Sequence, residues 1–376
     1  MPTAATDVIS NITRLLDEHY VFPEAAAEII AVLTAAAAEG RYDGADQAAL
    51  AELVTPDLQA VNRDLHLRLK YSETELSDTH DDEATQMRQM AEWSALTSGG
   101  VQRAERLPGN VGLLKIEPLM FPPSVAGDQL TAAMHLLAGT DALIIDLRDC
   151  LGADPTTVAL VYSFLTDDEP VQLSGLAHRD PDSLKQLWTA HVPGPKFGGT
   201  KPLWVLTGAK TFSGGEALSF DLQERGRAEV VGTRTRGGAH PRHAFRVDTN
   251  LEVTIPTARS VSPVSGGNWE GVGVVPDVET AEADALREAR RRALEAVLEL
   301  GADGMRAPVA AEAKEALAAL AELAGRVRMG RRAAAVVGLG AGSVGLGRLG
   351  LEIKAHRQEG ALVPVLVAAL WEWRRT

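Results

Sequence analysis

One cysteine, Cys150, stands in 376 residues, so no internal disulfide can form and nothing in the chain requires an oxidising compartment. Positive charge is short as well. The 37 Lys and Arg face 51 Asp and Glu, and the net charge of −14 repels phosphate backbones, with no basic block interleaved with aromatics to offset it. Nucleic acid is therefore not an expected partner. Long apolar runs are also missing: the longest uncharged stretch, residues 333–347, is broken by glycine and falls short of the roughly 18 to 20 apolar residues that cross a bilayer. No membrane segment is expected. The N-terminus lacks the basic start and continuous apolar run of a secretory signal, which makes a cytoplasmic location the expectation.

What is present is ordinary for a globular protein, with 45% hydrophobic and 23% charged residues in a chain long enough for more than one core. Residues 1–71 carry apolar residues at helical spacing, first Ile9, Ile12, Leu15 and Leu16, then Ile29, Ile30, Val32 and Leu33, then Leu50, Leu53, Val54, Leu58 and Val61. Pro23 and Gly44 break the pattern, so three short helices are expected. Residues 72–109 are polar and acidic and read as a connector with a helix near Trp93. From residue 110 the runs VGLLKI, ALIIDLRD, PLWVLTG, AEVVGTR and LEVTIPTA read as short strands bounded by Gly, Pro or Asp. Helical stretches at 124–138, 155–165 and 214–225 lie between several of them, and this alternation argues an α/β core over 110–300, closed by an amphipathic helix at 281–300. Residues 301–376 read as an Ala/Gly-rich, mostly helical tail, removable without loss of the core.

The sharpest local signal is TFSGGE, residues 211–216, directly after the apolar strand and directly before a helix. A serine at such a turn, with small neighbours, exposes its Oγ and aims the following N–H groups at whatever it attacks. Ser213 is thus a candidate nucleophile. The same residues also spell a capping box, with Ser213 as the N-cap and Glu216 three positions on. Local sequence leaves both readings open.

The turn keeps ordered company. DLRDCLG (146–152) precedes it, VGTRTRGGAHP (231–241) and NWEGVGVVPD (268–277) follow it, and DLHLRL (64–69) closes the N-terminal helices. This series resembles the tail-specific protease superfamily, in the branch that includes the tricorn protease core and interphotoreceptor retinoid-binding protein. The resemblance covers about residues 5–300 and implies a crotonase-like core of ββα units behind an N-terminal three-helix bundle. It implies Ser213 as nucleophile, His66 as general base, Glu270 as the partner of that base, and the Gly152 and Gly214 amides as an oxyanion hole, with His240 an accessory residue. Members that use a lysine base carry it in the segment matching residues 232–239, where this chain has only Arg as a basic residue before His240. It also has Cys150 and Ala153 where the family pattern has Asn and Gly.

Other motifs are weaker. His240 and His243 form an H-x-x-H pair with no further ligand at metal spacing, so no metal and no other cofactor is expected. Cys150 reads as an inert apolar thiol. The G-x-G-x-x-G at 340–345 leaves too little chain for a dinucleotide-binding unit. A connector of this length is too short for a peptide-binding insert domain. Three functions remain open: a peptidase-like serine hydrolase on a peptide or small acyl substrate, a non-proteolytic acyl-processing enzyme, and a binding protein for an apolar ligand. A homo-oligomer is compatible with each.

Overall fold

The structure is a computed structural model that describes residues 5–76, 83–180 and 182–339. It opens with helices α1 (Ala5–His19), α2 (Pro23–Ala38) and α3 (Gln47–Leu58), the three expected. Pro23 starts α2 where its missing N–H costs nothing, and Asp46 caps α3 by accepting the Ala49 N–H at 2.8 Å. Ile12, Leu16, Ile29, Leu33, Val54 and Leu58 are fully buried among them. Strand β1 (Arg68–Tyr71) follows, then α4 (Glu83–Leu96), β2 (Val101–Leu107) and β3 (Val111–Ile116). The central run comprises α5 (Pro123–Leu137), β4 (Ala142–Asp146), α6 (Pro155–Ser163), β5 (Gln172–His178), β6 (Leu184–Trp188), β7 (Leu203–Thr207), α7 (Gly214–Glu224) and β8 (Glu229–Gly232). Strands β9 (Arg242–Arg246), β10 (Leu251–Pro256), β11 (Ala258–Val261) and β12 (Val278–Glu279) lead to α8 (Glu282–Glu299) and α9 (Ala307–Leu339).

The main sheet has the order β12-β8-β7-β4-β3-β2, parallel throughout except for the antiparallel edge strand β2. Strands β4 and β7 are buried at every position because both sheet faces are covered, which is why they read as unbroken apolar runs. Leu130 and Met134 of α5, Val161 of α6 and Leu218 and Leu222 of α7 cover one face. Ala285, Ala289, Ala293 and Val297 of α8 cover the other. Two three-stranded sheets complete the fold, β1-β10-β9 and β11-β5-β6. The first joins the N-terminal helices to the core: Leu69, Val253 and Ile255 pack with Leu16, Leu33 and Leu58.

Two boundaries differ from those expected. The segment 72–109 holds β2, so the α/β core starts at Val101 and not at 110; the strand VQRAERL is half exposed at a sheet edge, and its charges hid it. At the other end the compact unit that holds the core runs through Leu320. Ala310, Ala313 and Ala316 of α9 are buried, with Ala313 and Ala316 in the cluster of Ala293 and Leu294. Glu312 accepts from the Gly109 N–H at 2.9 Å and pairs with Arg106 at 2.9 Å, and Arg306 pairs with Asp141 at 3.0 Å. Removing 301–376 therefore strips part of the core. A 1–320 fragment is expected to melt cooperatively near the full chain, whereas a 1–300 fragment loses about 5 °C or more in Tm; equal melting temperatures by calorimetry would show that the start of α9 contributes nothing. The glycine motif at 340–345 and the rest of the expected tail lie outside the described residues. No helix among the described residues is long and apolar enough to cross a membrane.

Candidate active site

Strand β7 ends at Thr207 and the chain turns sharply before α7. Thr211 pins this turn: its Oγ1 accepts from the Gly208 N–H at 2.9 Å and donates to the Leu147 carbonyl at 2.8 Å. The Phe212 N–H donates to the Cys150 carbonyl at 3.0 Å. Ser213 then sits at φ 50° and ψ −116°, a left-handed φ that a non-glycine residue holds only when its surroundings impose it, at a cost of about 1 to 3 kcal/mol. Its N–H donates to Glu216 Oε2 at 2.8 Å, so the capping box exists, yet a plain N-cap has β-region angles. The serine is half-buried, and the backbone that positions it has the strand-turn-helix form in which a nucleophile stands clear of the chain.

The loop 150–153 lies against this turn. A Cβ on Gly214 would come within 2.2 Å of Ala153 Cβ and 2.4 Å of its backbone nitrogen, so only glycine allows the approach. A Cβ on Gly152 would lie 3.8 Å from Ser213 Cβ. The loop is braced by the Met120 N–H to the Gly152 carbonyl at 3.0 Å and the Leu151 N–H to the Pro118 carbonyl at 2.8 Å. Neither the Gly152 nor the Gly214 N–H reaches a protein acceptor among the described residues. Cys150 is fully buried beneath, its Sγ 3.4 Å from the Gly152 carbonyl, and burial pushes its thiol up to about 12. A group so hard to ionise is no nucleophile.

A second cluster forms from distant segments. His66, in the turn after α3, donates its backbone N–H to Asp64 Oδ1 at 3.0 Å, and its carbonyl accepts from Thr254 Oγ1 at 2.6 Å. Its ring stacks on Phe212 at 4.5 Å between centroids, one residue before Ser213. Burial lowers its pKa to about 3, helped by the charges of Arg242, His240 and Arg236 and opposed by Asp64. The Nδ1 atom is buried without a hydrogen bond.

Glu270 Oε2 accepts from the Ala239 N–H and lies 3.5 Å from His240 Nδ1; Oε1 is buried and unpartnered. Burial raises its carboxyl to about 7, with His240 pulling the other way. His240 Nδ1 also meets Asp64 Oδ2 at 2.7 Å, so two acceptors face one nitrogen and the proton resides there. Tyr20 adds a hydrogen bond to the same Asp64 oxygen at 3.1 Å.

The structure thus brings Ser213, Gly152 and Gly214 together, and likewise His66, Glu270 and His240. Glu270 bonds to the Ala239 N–H and lies beside His240, and no hydrogen bond joins it to His66. His243 does not join: it is exposed on β9 with Nδ1 on Thr257 Oγ1 at 2.7 Å. Asp64, His66 and Glu270 each bring one ligand-type atom within 4.8 Å of the others, but both Asp64 oxygens are already occupied. The set therefore suits proton handling better than a metal. Position 238 has no room for a lysine, because a Cβ at Gly238 would meet the Phe212 ring at 2.2 Å and His66 Cε1 at 2.6 Å. Lys210 is drawn away to Asp149 at 3.1 Å.

Glu216 carries more than a cap. Fully buried, it accepts from the Ser213 and Gly238 N–H groups at 2.8 Å each, the Gly237 N–H at 2.6 Å and Thr235 Oγ1 at 2.5 Å. Burial raises its carboxyl to about 7 while those four donors hold it back. One side chain so locks the strained serine to the loop that walls His66. Sequence spacing shows only its distance from Ser213; Asp64, two residues before His66, offered a similar faint signal. Glu216→Gln turns an NH2 toward backbone N–H donors and is expected to cost about 1 to 3 kcal/mol. Ser213 should also react more slowly with a fluorophosphonate in protein shown by calorimetry to be folded; an unchanged labelling rate would confine Glu216 to a structural part.

The description peptidase family S41 matches residues 110–280. That of the N-terminal domain of peptidase S41 in eukaryotic interphotoreceptor retinoid-binding protein matches residues 2–98. Among solved structures, a lipoprotein from Streptococcus agalactiae is similar at 14% identity and TM-score 0.54, covering 78% of this chain and 98% of the other. A mutant of CPAF is similar at 13% identity and TM-score 0.55, with coverages of 80% and 98%. A candidate peptidase of Parabacteroides merdae follows at 17% identity and TM-score 0.52, with coverages of 79% and 96%. These likenesses show a shared fold of mixed α/β type.

Proposed function

The chain belongs to peptidase family S41, with an N-terminal domain of the retinoid-binding protein type, and from that we propose that it is a serine hydrolase that cleaves peptide or related acyl bonds on a crotonase-like core. Ser213 Oγ attacks the carbonyl carbon, and His66 takes the hydroxyl proton and returns it to the leaving group. With Nδ1 sealed in, Nε2 is the ring nitrogen left for that transfer. Neutral imidazole is the form required, and burial keeps His66 neutral. The Gly152 and Gly214 N–H groups receive the developing oxyanion, each donor being worth about 3 to 4 kcal/mol in such sites. Asp64, His240 and Glu270 form the polar wall behind the imidazole.

The observation that carries this reading is the backbone of Ser213, strained at the mouth of a turn beside two amides with no partner among the described residues. A carrier of an apolar ligand would want an apolar cleft, whereas Arg236 lies 4.9 Å over the Phe212 ring and Arg242 acts on His66. The direct test is labelling of the full chain with a fluorophosphonate and mapping of the adduct. Modification at Ser213 alone is expected; an unlabelled protein, beside a serine hydrolase that does label, hands the site to the binding reading.

A further inference from the structure

The sheet β1-β10-β9 has two unlike faces. Leu69, Leu251, Val253 and Ile255 enter the N-terminal core. Strand alternation sends the intervening residues to the opposite side, and the register fixes their neighbours. Arg68 pairs with Thr254 and Thr254 with Ala244; Lys70 pairs with Glu252 and Glu252 with Arg246; Pro256 pairs with Arg242. This second face thus carries Arg68, Lys70, Arg242 and Arg246 against one strand carboxylate, Glu252, in a chain of net charge −14.

Lys70 and Arg246 have partners, Glu252 at 3.3 Å and Glu75 at 3.7 Å. Arg68 has no ion pair or side-chain hydrogen bond among the described residues although it is half-buried, and Arg242 is exposed. Arg242 feels the attraction of Glu252 and, less strongly, the repulsion of Arg68. Clustered like charges persist at a cost unless something opposite meets them. The face also begins at the catalytic pocket: Arg68 lies two residues beyond His66, the charges of Arg242 and Arg236 act on His66, and Arg236 covers Phe212.

We infer that this basic face is a docking track for an acidic segment of an extended peptide, whose Asp or Glu side chains pair with Arg68 and Arg242 while the scissile carbonyl lies at Ser213. The two arginines stand on strands about 10 Å apart, so an extended segment with two acidic residues can offer each its own carboxylate. The docking, which builds on the reading of Ser213 as nucleophile, is testable without catalysis. In full-length Ser213→Ala protein, fluorescence anisotropy compares a C-terminally amidated peptide bearing two Glu with the same peptide bearing Gln. The acidic peptide is expected to bind at least tenfold tighter, with the margin shrinking between 50 and 300 mM salt. Arg68→Gln and, separately, the exposed Arg242→Gln should each remove most of the margin, whereas Arg259→Gln on β11 should keep it. Equal binding of the two peptides overturns the inference, as does a preference seen only when a free C-terminal carboxylate is present, or tighter binding of a single-stranded oligonucleotide. Fluorophosphonate labelling of the wild-type chain decides the nucleophile separately, so failure of one reading is distinguishable from failure of the other.

Discussion

Ser213→Ala is expected to lower kcat on an activated ester or a cleavable peptide by about 10⁴- to 10⁶-fold, and His66→Ala to cost a comparable factor, because nucleophile and base act as a unit. The double variant should then lose little more than either single one. Glu270→Gln should cost less, since Glu270 touches Ala239 and His240 and reaches His66 only through the shared wall. His66 is buried against Phe212, so its removal leaves a void as well as a missing base. Each variant is therefore melted first, and rates are compared among folded proteins. A folded His66→Ala protein with near-full activity beside a dead Ser213→Ala protein would remove His66 from the mechanism. His240, hydrogen-bonded to Asp64 in the same cluster, is then the residue to test.

The second large effect is in the pH profile. An unperturbed histidine base would switch on near pH 6.5, and the sequence alone leads one to expect that limb. In the structure burial holds His66 near 3, so it is already a neutral base throughout the ordinary range. Glu270 behaves in the opposite way, raised by burial to about 7. Above that value it is a carboxylate that accepts from the Ala239 N–H and faces His240 Nδ1 at 3.5 Å; as the pH falls through about 7 it takes up a proton and the acceptor wall behind His66 is lost. Activity should therefore drop toward acid with an apparent pKa near 7, to which Glu270 and Glu216, raised by burial to about the same value, both contribute. In Glu270→Gln the limb should shrink to the part that Glu216 carries, at a lower plateau, and the His66 ring proton resonance should stay fixed between pH 5 and 8. A limb left at full size in Glu270→Gln, with a His66 resonance that titrates across it, would return the control to the imidazole.

Much of this site was legible in the chain itself, and the division has a physical cause. The central strands declare themselves because a parallel strand covered on both faces must be apolar at every position, as in β4 and β7. The serine turn declares itself because its constraints are local: a strand, a residue forced to positive φ, small neighbours and a helix, all within about ten positions of Ser213. The three N-terminal helices follow from apolar spacing with Pro23 at a helix start.

What lies outside local reach is pairing between distant segments. Strands β1 and β9 are short and largely polar, and they exist because β10 pairs with both, aligning Arg68 with Thr254 across the chain. No pattern near residue 68 announces that partner. The same holds for the wall behind His66, where side chains from positions 20, 64, 240 and 270 meet, and for Glu216, whose spacing predicts a cap but whose second oxygen binds Thr235 and Gly237. By itself the sequence determined the serine turn, the three N-terminal helices, the central apolar strands and the want of a lysine at position 238, because each follows from residues adjacent in the chain. Only the tertiary structure decided that Glu270 sits with His240, that His66 is sealed into neutrality, that the start of α9 completes the core, and that four cations share one face of a sheet, since each depends on burial and register that arise when remote segments pack.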